Sequence, residues 1–179
     1  MPELTVAMFC EAVESVCRLV DNVTDDHWDA PTPCPDWNVR QLADHLLAGQ
    51  QAFVEIMAGQ PATEPVVDFR TSATALADAF GQSGALERIV EIAVGSVPGL
   101  VAMHVQTVEH LVHGWDLATA TGQTPRFAEA VVEGTIEFSH GLLTQIPAGP
   151  GGPFGPSQPA PESGPAIDRL AALLGRKIG

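Results

Sequence analysis

Residues 98–122 read PGLVAMHVQTVEHLVHGWDLATATG, and they decide the fold. At helical spacing Val101, Met103, Val105, Val108, Leu111, Val112 and Trp115 point in several directions. A helix that is apolar on most sides must be covered on most sides, so it belongs among other helices. Pro98 suits a first helical turn and Gly122 a terminus, which gives a helix over about 98–121.

Within this helix Glu109 has few exposed directions. An ionised carboxylate buried without a partner costs several kcal/mol or more, so it must be paired, neutral or bound to a cation. Glu109 and His113 are i and i+4, one above the other on a single face, and both can converge on one ion. The same spacing also suits an ordinary ion pair, and His110 with His113 forms a rival i,i+3 pair.

Outward from that segment, helical patterns cover about 3–22, 37–58, 70–81 and 126–144. Asp36 is placed to cap the second of these. Residues 85–95, ALERIVEIAVG, read as an extended segment leading into a turn at GSVPG, residues 95–99, because Ile89, Ile92 and Val94 are β-branched. Between 147 and 165 seven prolines and five glycines leave a covering loop with no packed element, and IDRLAALLGRKIG, from 167, is a short amphipathic helix. The expected organisation is a helical body over 1–146, a Pro/Gly-rich covering loop over 147–165 and a docking helix within 166–179. With tyrosine absent and no series of alternating short strands, the fold class is all-α.

His45 lies mid-way along the second helix. Leu42, Gly49, Ala52 and Ile56 continue its face and make it apolar, with Gly49 and Ala52 leaving room beside the ring. It is a candidate third ligand, or a core histidine bonded to a backbone carbonyl. Two imidazoles and a carboxylate would suit Zn2+, with Ni2+, Fe2+ or Mn2+ as alternatives, and three protein ligands leave a coordination position open. Trp37 and Trp115 are candidate pocket walls or core anchors, Cys34 reads as structural, and Asp116 stands three positions beyond His113, where it can orient that ring. Arg40 is a candidate for a substrate carboxylate or a solvated side chain. His27 and His140 read as surface residues, and His104 lies well round the helix from Glu109.

Eight basic against 22 acidic residues give a formal charge of −14, which disfavours nucleic acid and anionic membranes as partners. The start has no basic segment followed by an apolar run, and no eighteen apolar residues run together, so a soluble cytoplasmic protein is expected. The three cysteines are expected to be reduced, since Cys10 and Cys17 would lie about 10 Å apart along one helix.

Three stretches, TPCPDWNVRQLADHL at 32–46, EHLVHGWDLATATG at 109–122 and PFGPSQPAPESGPAIDRLAALLGR at 153–176, resemble the metal-binding proteins of the DinB-like superfamily. Within it they are similar to the N-terminal domain of mycothiol-dependent maleylpyruvate isomerase and to short actinobacterial members. The resemblance implies a four-helix bundle with a divalent metal held at one end by His45, Glu109 and His113. It also implies a low-molecular-weight thiol such as mycothiol as cofactor, and an S-transferase or isomerase acting on a small electrophile. The isomerase draws a substrate-binding arginine from a further C-terminal domain; here only Arg169 or Arg176 could take that place, if the tail folds back. A metal-dependent hydrolase with activated water, its base being Asp116 or Asp44, and a non-catalytic metal-binding module are the alternatives. The apolar helix faces are compatible with a homodimer.

Overall fold

The computed structural model of the protein describes residues 4–35, 37–61, 68–145 and 154–178. Six helices follow in order: α1 (Val6–Asp21), α2 (Val39–Ala58), α3 (Phe69–Gly81), α4 (Gly99–Thr121), α5 (Glu129–Gln145) and α6 (Ala166–Leu173). A hairpin of β1 (Ile89–Ile92) and β2 (Gly95–Pro98) precedes α4. The fold is all-α, a DinB-like bundle in which α1 and α2 each pack against both α3 and α4. Helix α5 lies against α4 and α6, and α6 also touches α4.

The expected α4 forms over Gly99–Thr121, with Pro98 closing β2 as the N-cap rather than lying in the first turn. Ala102, Met103, Leu111, Val112 and Leu117 are all fully buried, and so are the small Thr107 and Ala118, so neighbouring helices cover this one nearly all round. Each fully buried leucine or phenylalanine of this kind contributes roughly 1.5–3 kcal/mol through the surface it removes from water. Gly122 ends the helix in the left-handed conformation, its N–H donating to Ala118 O. Gly114 allows a close crossing: a Cβ there would sit 2.7 Å from the Phe127 ring and 3.0 Å from Val16.

Local chemistry shifts two boundaries. Helix α2 starts later than expected because Asn38, not Asp36, is its cap. The Asn38 side chain accepts from Gln41 N and the Gln41 side chain accepts from Asn38 N, a reciprocal capping box. Asp36 lies outside the described residues. The GSVPG stretch is not a turn but mostly strand β2; Ile92 pairs with Gly95, so the turn falls on Ala93 and Val94. Two residues suffice to reverse the chain there, which extends the ladder back to Ile89 opposite Pro98.

No regular element occupies residues 154–165, yet that stretch is packed: Phe154 is buried, and Gln158 N donates to Ala172 O. Residues 147–153 of the Pro/Gly-rich segment lie outside the described residues. The terminal helix docks through Trp115 Nε1, which donates to Asp168 Oδ1 at 2.8 Å, and through an Arg169–Glu133 ion pair. Gly155 and Gly175 cross so closely that a Cβ on Gly175 would lie 2.7 Å from Gly155 Cα.

Candidate metal centre

Helices α2 and α4 bring His45, Glu109 and His113 together, with one potential ligand atom from each lying within 4.8 Å of the others. Glu109 Oε2 is the shared vertex, 3.3 Å from His45 Nε2 and 3.4 Å from His113 Nε2. The two imidazole rings meet edge to face at 5.1 Å. Burial is graded across the set: His113 is 5% exposed, while the Glu109 side chain retains 25% and that of His45 38%. The deep face of the site is therefore sealed and the other face is open.

Each histidine is held from behind. Trp37 stacks on the His45 ring at 4.2 Å with an angle of 26° and meets His113 edge-on at 5.6 Å. The turn that presents Trp37 is pinned by Thr32 Oγ1, which accepts from Cys34 N and lies 2.8 Å from Trp37 O. His113 Nδ1 is 3.0 Å from Asp116 Oδ2. Arg176 grips the same carboxylate, with Nη2 donating to Oδ2 at 2.8 Å and Nε donating to Oδ1 at 3.2 Å. Asp116 is wholly buried and Arg176 is 8% exposed, so the tail reaches the site through a buried ion pair.

This arrangement fixes protons. A carboxylate only accepts, so Nδ1 of His113 carries the hydrogen directed at Asp116, and in the neutral ring Nε2 presents a lone pair to Glu109. Two acceptors 3.4 Å apart need a positive species between or beside them, either a proton or a metal ion. Although burial opposes charge on both groups, the hydrogen bonds from His113 and His45 hold the Glu109 carboxyl well below the usual carboxylate range, and Asp116 and Glu109 raise the His113 imidazole above its ordinary value.

Two of the three ligand–ligand separations suit a metal as they stand. A tetrahedral ion with bonds of about 2.0–2.2 Å has ligand–ligand edges of roughly 3.3–3.6 Å. The two nitrogen–oxygen separations fall in that range before any adjustment.

The remaining candidates separate cleanly. His110 turns to the other side of α4, where Nδ1 donates to Gln106 O at 2.8 Å and Nε2 lies 3.2 Å from Gln50 Nε2. Burial pushes its pKa down to about 4, and it is a core histidine. His104 stacks on Phe138, His27 bonds Thr24, and His140 is exposed. Arg40 sits over the Trp28 ring near Asp29, away from the triad. Trp115 is a docking residue for α6, not a wall of the site.

The open face of the triad gives onto a cavity of about 340 Å3 bounded by α2, α4 and the hairpin. On α2 its lining follows His45, Leu46, Gly49, Phe53 and Ile56; Ala52, expected on this face, is exposed instead. Phe53, one position on, is the wall that the periodicity misplaced. The hairpin was the other omission, since a roof made by Ile92, Ala93 and Val94 depends on how the hairpin folds over α2 and α4.

The profile of the mycothiol maleylpyruvate isomerase N-terminal domain matches residues 9–68 and 51–118, which takes in all three members of the triad. The chain belongs to this family. It is also similar to two proteins of Mycobacterium tuberculosis, from two strains, both described as uncharacterized. Each is 30% identical over 172 residues, spanning 93% of this chain and 94% of the relative. No solved structure gives a significant match. Among the described residues no helix is long and apolar enough to cross a membrane.

Proposed function

We propose that His45, Glu109 and His113 hold one divalent cation, and that the centre activates a low-molecular-weight thiol such as mycothiol for addition to a small electrophile, in an S-transferase or isomerase. The observation that carries this is the pair of separations, 3.3 and 3.4 Å, between Glu109 Oε2 and the two imidazole nitrogens, with Asp116 fixing the tautomer of His113. Two nitrogens and one oxygen favour zinc, with nickel, iron or manganese as alternatives. When bound, the ion supplies a positive charge that lowers the pKa of a coordinating thiol, so that thiolate prevails near neutral pH.

The side chains divide the remaining work. Asp116 and Arg176 keep His113 aimed, Trp37 keeps His45 in plane, and Glu109 contributes the one negative charge. The cavity beside Glu109 and His45 offers the electrophile a mostly apolar surface next to the triad. In the addition an S–C bond forms, the π bond of the electrophile breaks, and the thiol proton ends on the neighbouring carbon. A transferase stops there; an isomerase runs the steps backwards after rotation about the new single bond.

The two alternatives have less support. A hydrolase needs a free base, but both Asp116 oxygens are engaged and Asp44 is exposed. A closed structural site needs a fourth ligand, and among the described residues the cluster contains three. The test is metal analysis with calorimetric titration of mycothiol. We expect one equivalent of metal, lost in His45→Ala and His113→Ala, and thiol binding that depends on it. Retention of metal by those variants, or zinc-loaded protein that neither binds thiol nor consumes it with an activated alkene such as methyl acrylate, overturns the proposal.

A further inference from the structure

The cavity beside the triad has a polar end and an apolar body. His45, Glu109 and the neutral Gln106 supply its polar groups; Phe53 and Ile56 from α2, Val105 from α4, and Ile92 and Val94 from the hairpin form the apolar body. We infer that this cavity selects an uncharged, predominantly apolar substrate and rejects dicarboxylates. That the substrate is an electrophile rests on the function proposed above; its polarity rests on the cavity alone.

The distribution of positive charge supports this. All eight lysine and arginine residues of the chain are among those described, and none lines the cavity. The two arginines of the tail are committed elsewhere, Arg176 to Asp116 and Arg169 to Glu133. Arg88, at the base of the hairpin, donates to Met57 O. A carboxylate carried into the body of the cavity would give up its water and find methyl, methylene and phenyl groups with the neutral amide of Gln106 as the one polar side chain beyond His45 and Glu109, too little to replace its hydration. The formal charge of −14 adds a long-range penalty against a dianion. At about 340 Å3 the cavity is at the small end of ligand sites, enough for a monocyclic or short-chain compound.

Gly49 bears on the same question. It is interior to α2, where glycine costs ~1 kcal/mol relative to alanine. Nothing in the packing asks for it, because a Cβ there would meet no atom within 4 Å. The space left by the missing side chain belongs to the cavity, which Gly49 helps to line. Gly134 and Gly141 inside α5 relieve no clash either, so openness alone does not explain a glycine; what sets Gly49 apart is its place in the cavity lining, where a larger side chain would take up ligand volume.

A matched pair of probes tests the inference: methyl cinnamate, which is neutral and carries an electrophilic alkene, and the cinnamate anion on the same skeleton. Both are titrated by NMR at pH 7 into metal-free protein, so that coordination of the carboxylate to a metal cannot contribute. The ester is expected to bind at least ~10-fold more tightly than the anion, a difference of about 1.4 kcal/mol. Gly49→Leu should weaken ester binding ~10-fold or more while keeping zinc stoichiometry, and Gly49→Ala should raise the melting temperature, which shows that the position tolerates a side chain. Equal binding of ester and anion, no ester binding at millimolar concentration, or undiminished ester binding in Gly49→Leu overturns the inference. If the wild-type protein binds the ester selectively but takes up no zinc, the cavity reading stands and the metal-centre proposal falls.

Discussion

Replacing Arg176 by methionine tests how the tail supports the site. Arg176 contributes two hydrogen bonds to Asp116, at 2.8 and 3.2 Å, and a third from Nη1 to Leu174 O at 2.9 Å. Methionine keeps most of the volume and removes all three, leaving a wholly buried carboxylate bonded to His113. Removing one member of a buried ion pair costs about 3–5 kcal/mol, because the remaining charge stays desolvated. Retained bonding to His113 places Arg176→Met at the lower end, about 3 kcal/mol. In a domain of this length each kcal/mol moves the melting temperature by roughly 2–4 °C, so a fall of about 6–12 °C is expected in metal-free protein followed by circular dichroism. His113 also loses part of its support, and loss of such an outer partner lowers metal affinity by roughly 10–100-fold, measurable by competition with a zinc chelator. In a double-mutant cycle with Asp116→Asn the two changes should be non-additive by at least ~1 kcal/mol. A melting temperature within ~1 °C of wild type, against the few degrees per kcal/mol expected, or additive effects in the cycle, would refute the buried link between tail and triad.

Other consequences follow from the same geometry. Adding zinc should raise the melting temperature of the wild-type protein in a concentration-dependent way and leave that of His45→Ala unchanged; equal shifts in both would place the ion elsewhere. Gly114→Ala forces a methyl group to 2.7 Å from Phe127 and 3.0 Å from Val16, so it should destabilise by about 1–3 kcal/mol in urea titration, and an unchanged midpoint would mean that the α4 crossing is looser than described. Burial pushes the Cys17 thiol up to about 11 from an ordinary value of 9.0. Raised in the folded state, it contributes stability that is complete below pH 9 and is lost as the pH rises toward 11. Two pKa units correspond to about 2–3 kcal/mol, so Cys17→Val should flatten the decline over that interval, and equal slopes in both proteins would show that the thiol is not the titrating group.

The sequence alone determined what depends on neighbours along the chain. The all-round apolar pattern of 98–121 made a central helix unavoidable, because each of those side chains has to leave water wherever the rest of the molecule goes. Glu109 and His113 had to share a face, since 3.6 residues per turn stack i on i+4. The apolar continuation of the His45 face was legible for the same reason, although the drift of that face from Ala52 to Phe53 was not. At 3.6 residues per turn Ala52 and Phe53 lie about 100° apart, on opposite edges of the stripe that His45 begins, and which edge is covered is decided by the neighbouring element.

Tertiary structure decided the rest. Whether His45 meets Glu109 or a backbone carbonyl depends on how α2 packs against α4, across a separation of 64 residues. Whether Arg176 serves a substrate or Asp116 depends on where the tail docks, and the close Gly155–Gly175 crossing and the Trp115–Asp168 bond bring it to the buried carboxylate. The roof of the cavity required a hairpin of two four-residue strands to be laid over two helices. Such contacts form between segments far apart in the chain, where helical and strand periodicity carry no information about which partner will be met.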